Sequence, residues 1–136
     1  MANGGDILEI TYNHDTVGAG TLYCKSNEDG TLDIGGFRSN DDDNASTGDG
    51  EFIDQMNWRR GSFECPPIAW NMTDAEEKSK LEAVAESSVL ADWTISHIMG
   101  RIWGGKGKPV GDIPGSTNTG LITLKIAFSG KVRPLT

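Results

Sequence analysis

Apolar residues recur at every second position along much of this chain, and that period predicts strands. In residues 7–12, Leu8, Ile10 and Tyr12 share one face while Glu9 and Thr11 share the other. Asn13-His14-Asp15 then reads as a turn. Residues 20–24 and 32–37 are the next strand candidates, and Ser26-Asn-Glu-Asp-Gly30 between them predicts a hairpin turn. Gly35-Gly36 at the end of that pair predicts a bulge or a close backbone approach. Residues 51–60 place Phe52, Met56 and Trp58 on one face, with Asp54 interrupting it. Ser62-Phe-Glu-Cys65 follows, and Pro66-Pro67 marks an edge or an exit from a sheet, because proline donates no ladder hydrogen bond. Ile68-Ala-Trp70 resumes a short strand. Further on, Trp93, Ile95 and His97 alternate with Thr94, Ser96 and Ile98, and Ile102-Trp103 continues the pattern past Gly100. The last strand alternates most cleanly, with Ile122, Leu124, Ile126 and Phe128 against Thr123, Lys125 and Ala127.

The period changes once. Leu81, Val84, Ala85 and Ser88 recur at helical spacing, preceded by Thr73 as N-cap and Glu76 three residues on, a capping box. Asp74, Glu76 and Glu77 suit the positive end of a helix, and Glu76 pairs with Lys80 one turn later. These residues predict one helix over about 74–87, packed by a narrow stripe and otherwise facing solvent. The pattern as a whole predicts a mainly β domain with one helix.

Composition agrees. The chain has 136 residues, one domain's worth, and 18 are glycine, as expected of many short strands joined by tight turns. A chain of this length buries about two-thirds of its unfolded surface and needs no disulfide or metal staple. The formal charge of −8 argues against general binding to nucleic acid, which requires clustered Lys and Arg. No apolar run approaches the length of a membrane span. The opening Met-Ala-Asn-Gly-Gly-Asp lacks the basic and apolar regions of a signal peptide, which predicts a chain made and kept in the cytoplasm. Cys24 and Cys65 form no Cys-x-x-Cys and read as two buried or half-buried thiols; the alternative is a disulfide, within the chain or between subunits, formed in an oxidising medium.

Residues 39–50, Ser-Asn-Asp-Asp-Asp-Asn-Ala-Ser-Thr-Gly-Asp-Gly, carry no apolar period and concentrate negative charge, which predicts a long loop. Calcium binding in the EF-hand manner fails, since counting from Asp41 puts Ala45 at the fifth ligand position and Ser46 where glycine is needed. A solvated loop or a docking loop remains.

Catalytic chemistry is absent from the pattern. Gly100 and Gly105-Lys106 fall at the spacing of a phosphate-binding loop, but Gly107 stands where Ser or Thr would hold magnesium, and Pro109 and Gly111 oppose a following helix. The segment reads instead as a Gly/Lys turn between strands. His14 and His97 are isolated, no nucleophile sits beside a base, and nothing calls for a cofactor or metal. Trp58, Trp70, Trp93 and Trp103 all lie in strand segments, as core residues or as anchors at subunit contacts. The expectation is a protein that is not an enzyme.

Three groups of residues carry a resemblance. Thr31-Leu-Asp-Ile-Gly-Gly-Phe-Arg-Ser-Asn-Asp, Ile53-Asp-Gln-Met-Asn, and Trp93-Thr-Ile-Ser-His-Ile with Gly104-Gly-Lys-Gly-Lys-Pro-Val-Gly-Asp resemble, in this order, the tail tube proteins of contractile-tailed bacteriophages. The resemblance extends from Leu8 to about Phe128 and includes no catalytic signature. It implies a β-sandwich or half-barrel of two packed antiparallel sheets with one flanking helix. It implies hexameric rings stacked into a hollow tube, sited in the virion tail and assembled in the bacterial cytoplasm. Implied partners are further copies of the chain, the tail sheath protein, baseplate and tail terminator proteins, and the tape measure protein followed by DNA, which pass through the lumen without specific binding. The long loop of such proteins usually reaches a neighbouring subunit or ring, so Arg38, Asn40, Asp41, Asp42, Asp43 and Asp49 become candidate contact residues. Thr123 and Lys125 become channel-facing candidates. Cys24 and Cys65 match no family motif. A type VI secretion or tailocin tube subunit is the nearest alternative, and a small ligand-binding β-sandwich is the alternative of another class.

Overall fold

The alternating segments fold as antiparallel strands that wrap one apolar core. The computed structural model describes residues 4–39, 45–50, 52–53, 56–71 and 76–135. Along the chain these form β1 (Ile7–His14), β2 (Gly18–Tyr23), β3 (Thr31–Asp33), β4 (Gly36–Ser39), β5 (Ala45–Ser46), β6 (Phe52–Ile53), β7 (Met56–Arg59), β8 (Ser62–Glu64) and β9 (Ile68–Ala69). Then come α1 (Glu76–Glu86), β10 (Ala91–His97), β11 (Ile102–Pro109), β12 (Gly115–Ser116), β13 (Leu121–Ile122), β14 (Lys125–Phe128) and β15 (Arg133–Pro134). The protein is mainly β with one short helix, and its paired strands are antiparallel.

The main sheet runs β2-β1-β10-β11-β14-β8-β3, with β15 also on β11, and a smaller sheet runs β12-β13-β9. The two are joined by the chain at β8–β9 and at β13–β14. At Pro66-Pro67 the chain turns from β8 into β9, and there Cys24 bridges Ile68 while the Lys25 amide donates to the Pro67 carbonyl at 2.7 Å. The end of β2 thus meets the continuation of β8, and the pairings return to their starting strand. The strands β3 and β12 remain at sheet edges.

Ile10, Leu22, Phe63, Ile68, Trp93, Ile95, Ile122, Leu124, Ile126 and Phe128 fill the interior, none more than 1% exposed. Trp93 is satisfied there, its Nε1–H donating to the Gly107 carbonyl at 2.8 Å, and its ring lies against Tyr12. The helix adds Leu81 and Val84 and packs on β11. Its first described residue is Glu76, so the predicted cap at Thr73 lies outside the described residues; Lys78 and Glu82 pair one turn apart at 2.5 Å.

Four details depart from the pattern reading. Leu8 is 49% exposed rather than packed beside Ile10 and Tyr12, because the register slips between Ile7 and Glu9 and this bulge turns Leu8 outward. The segment Asn13-His14-Asp15 does not turn at once: β1 continues to His14, which is buried (1%) and donates or accepts at three backbone groups. The turn at residues 26–30 does not join a hairpin, since β2 pairs with β1 and β3 with β8. Finally, Gly104-Gly-Lys-Gly-Lys108 is not the turn; it is the middle of β11, and the chain reverses at residues 98–101. Glycine is required in that strand by close packing. A Cβ on Gly107 would sit 2.3 Å from the Ala127 carbonyl oxygen, and one on Gly105 would sit 2.9 Å from the Phe128 ring.

Candidate assembly surface

Between β3 and β8 the chain leaves the sheet as a hairpin arm. Its root is built by Gly35 and Gly36, both with positive φ (85° and 109°). Gly35 also lies against the returning chain, where an added Cβ would be 2.6 Å from the Gly61 nitrogen. Asp33 ties the root together: it accepts from the Gly35 amide at 3.0 Å and from the Arg38 guanidinium at 2.5 Å. These two donors, with the positive charge of Arg38 and Arg59, hold the Asp33 carboxyl below its ordinary range.

From the root, β4 and β7 form a two-stranded ribbon that pairs Gly36 with Arg59, Phe37 with Trp58, Arg38 with Asn57 and Ser39 with Met56. Strand alternation puts Phe37, Trp58 and Met56 on one face and Arg38, Asn57 and Arg59 on the other. The apolar face is left to solvent: Phe37 is 63% exposed, Met56 59% and Trp58 52%. Phe37 and Trp58 pack edge to face on each other, centroids 4.9 Å apart. Aromatic residues so placed suit an anchor more than a core.

Farther out, Ala45–Ser46 pair with Phe52–Ile53, and the chain turns at residues 47–50, where Gly50 donates to the Thr47 carbonyl and Thr47 Oγ1 donates to Asp49. Thus the stretch expected as one long loop carries strand residues: Ser39 closes β4, and β5 spans Ala45–Ser46 before the turn at residues 47–50. Arg38 and Asp49 belong to this arm; Asn40, Asp41, Asp42 and Asp43 lie outside the described residues.

The other expected residues do not join the arm. Cys24 and Cys65 are free thiols, half-buried against the core on either side of the β2–β9 seam. Burial pushes Cys24 up to about 11, and burial followed by the nearby Cys24 raises Cys65 well above the ordinary thiol range. Thr123 is exposed outside any strand, its amide bonded to the Pro114 carbonyl. Lys125 is exposed on β14 and lies 3.7 Å from Glu64. His97 serves the fold, with Nε2 at 3.1 Å from the Gly5 carbonyl and Nδ1 accepting from the Met99 amide.

A second surface is the outer face of β2, β1, β10 and β11. Cross-strand register lines up Thr21, Thr11, Thr94 and Gly104 in one row, and Ala19, Asn13, Asp92 and Lys106 in the next. A shallow groove there is lined by Thr11, Asn13, Thr21, Asp92 and Thr94. This wall of small polar side chains was not singled out in the sequence, although the Thr and Asn positions in residues 9–21 carry the signal.

Among the described residues no cluster of His, Cys, Asp and Glu is arranged to hold a metal ion, and no helix is long and apolar enough to cross a membrane. The chain matches no family model, and no curated protein aligns with it significantly.

Proposed function

We propose that this chain is the structural subunit of a hollow tube, of the kind found inside contractile phage tails, in which copies associate into hexameric rings that stack and conduct DNA. The observation that carries this reading is the arm: an amphipathic ribbon whose aromatic face is left exposed among the described residues. A fold whose core is already complete without these residues has no internal use for Phe37, Met56 and Trp58 on one exposed face. Supplied by identical copies, the cover makes the contact heterologous, arm to body, and heterologous contacts close into rings or propagate as filaments. The resemblance in residues 31–41, 53–57 and 93–112 favours the ring that stacks. Sheath, baseplate, terminator and tape measure proteins would then be its neighbours in the tail.

The polar wall of β2, β1, β10 and β11 suits a channel better than the Thr123 and Lys125 face does. It is wide, small-chained and mixed in charge, whereas Lys125 is engaged by Glu64. A passage for DNA requires weak contacts, and net negative subunits provide them.

Electron microscopy of the purified chain tests the reading: hollow rings or tubes are expected. Deleting residues 40–48 should leave the circular dichroism of a folded subunit and abolish stacking. A second reading, a small ligand-binding β-domain, is favoured only by the groove at Thr11, Asn13, Thr21, Asp92 and Thr94. A chain that stays monomeric at high concentration, with a melting temperature raised by a soluble ligand, would establish that reading in place of the tube.

A further inference from the structure

The charge of this protein is unevenly sorted. It has 20 acidic and 12 basic residues, yet the body surface beside the arm root is basic. One depression there is lined by Lys106, Lys131 and Arg133 with Phe128, Ser129 and glycines; its neighbour is lined by Arg59, Arg60 and Lys125 with Trp58 and Ser62. Among the described residues no carboxylate lines either one. The two adjoin, because the Gly61 amide donates to the Gly130 carbonyl at 2.7 Å and Lys131 lies beside Gly36. Arg60, Lys131 and Arg133 form no ion pair with a described residue. Among the described residues the nearby acids are already engaged or opposed: Asp33 is turned to Arg38 at the root, Glu64 to Lys125, and Asp92 stands opposite Lys106 across β10–β11.

The arm is sorted the other way along its length. Its root carries Arg38, Arg59 and Arg60. Beyond them in chain order come Asp41, Asp42, Asp43, Asp49, Glu51 and Asp54, with no Lys or Arg between Arg38 and Arg59. Pairing places Asp49 in the turn that joins β5 to β6, past the β4–β7 ribbon.

We infer that the basic strip at the arm root, around Arg60, Lys131 and Arg133, receives the acidic stretch 41–54 of a second copy. This rests on the self-assembly proposed above and names the receiving surface. Charge complementarity is what selects the occupant: the strip is a cationic part of an acidic subunit, and residues 41–54 carry six acids and no Lys or Arg. The contact is directional, since each copy offers one acidic arm and one basic strip, so each copy engages two different neighbours. It also fixes register along the apolar contact of Phe37 and Trp58, which by itself does not specify how far the arm slides.

The test uses two full-length variants. The strip variant is K131E with R133E; the arm variant is D41K with D42K and D43K. Sedimentation velocity at about 50 mM salt should show each variant alone losing assembly by at least tenfold relative to the unaltered chain, with unchanged circular dichroism. Mixed in equal amounts the two should co-assemble, because each strip then meets an arm of opposite charge. Assembly of the unaltered chain should weaken as salt rises to about 500 mM. Folded variants that assemble normally alone, or fail to assemble when mixed, would overturn the inference while leaving the tube reading intact. Loss of duplex DNA binding by the strip variant, with assembly unchanged, would assign the strip to a polyanion and overturn it equally. An unaltered chain that never associates would instead remove the proposed function itself. Should K131E with R133E fail to fold, K131Q with R133Q serves, and a salt dependence no shallower than that of the unaltered chain would count against the contact.

Discussion

Replacing Phe37 and Trp58 together by serine should raise the concentration needed for self-association about a thousandfold while leaving the subunit folded. The two side chains are 63% and 52% exposed, so each leaves roughly 100 Å² of apolar surface in water, from the area an aromatic residue buries when fully covered. At about 25 cal/mol per Å² the pair represents ~5 kcal/mol of unrealised burial. Ordering the two rings on association costs about 0.5–1 kcal/mol in total, at the low end because they already pack edge to face at 4.9 Å. About 4 kcal/mol remains per arm contact, or roughly three decades in association constant. Sedimentation velocity across a concentration series reads the half-assembly point, and a urea titration of the same samples reads subunit stability. The stability change should stay within about 1.5 kcal/mol, the scale of the lost aromatic pair itself. A half-assembly point that moves less than tenfold would refute the assignment of these rings as the anchor. A stability loss above about 3 kcal/mol would refute it differently, by showing that they belong to the core of the monomer.

His14→Phe should cost about 2–4 kcal/mol in urea unfolding, because the ring's Nδ1 accepts from the Thr16 and Val17 amides at 3.1 Å and Nε2 reaches the Val89 carbonyl at 2.9 Å; a change under 0.5 kcal/mol, roughly the scatter of surface substitutions, would show that these buried groups find other partners. Gly107→Ala should destabilise by about 2–3 kcal/mol as the new methyl drives β11 from β14, whereas Gly130→Ala, with open space around it, should stay within about 0.5 kcal/mol; equal effects would refute the packing argument. Cys24 in the folded subunit should react with iodoacetamide at pH 8 about a hundredfold more slowly than the same thiol in urea, because its raised pKa lowers the thiolate fraction by that factor. The sign follows for stability: the folded state keeps a proton that the unfolded thiol loses at its ordinary 9.0, so stability falls as pH rises from there to about 11, and a flat denaturation midpoint across that range would contradict it.

The core was legible in the sequence wherever alternation met burial. Ile122, Leu124, Ile126 and Phe128 were paired by pattern and lie inside together, and the lone helix announced itself by its change of period. What alternation does not encode is which strand meets which. The turn at residues 26–30 has every local mark of a hairpin, yet β2 takes β1 and β3 takes β8, while the end of β2 meets Ile68 through Cys24, a contact between residues far apart in sequence. The bulge at Leu8 escaped for a related reason: one extra residue inverts a face without leaving a trace in residue type. The glycines of β11 misled most. Gly and Lys in alternation read as a turn from propensity, while their actual cause is the approach of Ala127 and Phe128, a tertiary fact that overrides local preference.

The arm was half visible, and the missing half follows from the physics of a two-stranded ribbon. Met56 and Trp58 could be placed on one face from spacing alone; Phe37 could not be joined to them, because its pairing with Trp58 spans the acidic stretch that reads as a break. Among the described residues the ribbon has no third strand, and in water an isolated two-stranded hairpin is marginal. Selection for stability of the lone subunit gives no reason for two aromatic rings there, since together they return only the ~1 kcal/mol of their mutual contact. Selection for a contact between subunits does. An exposed aromatic pair, an acidic outer half and a basic root make one element that is poor as a piece of a monomer and coherent as one side of a repeated interface.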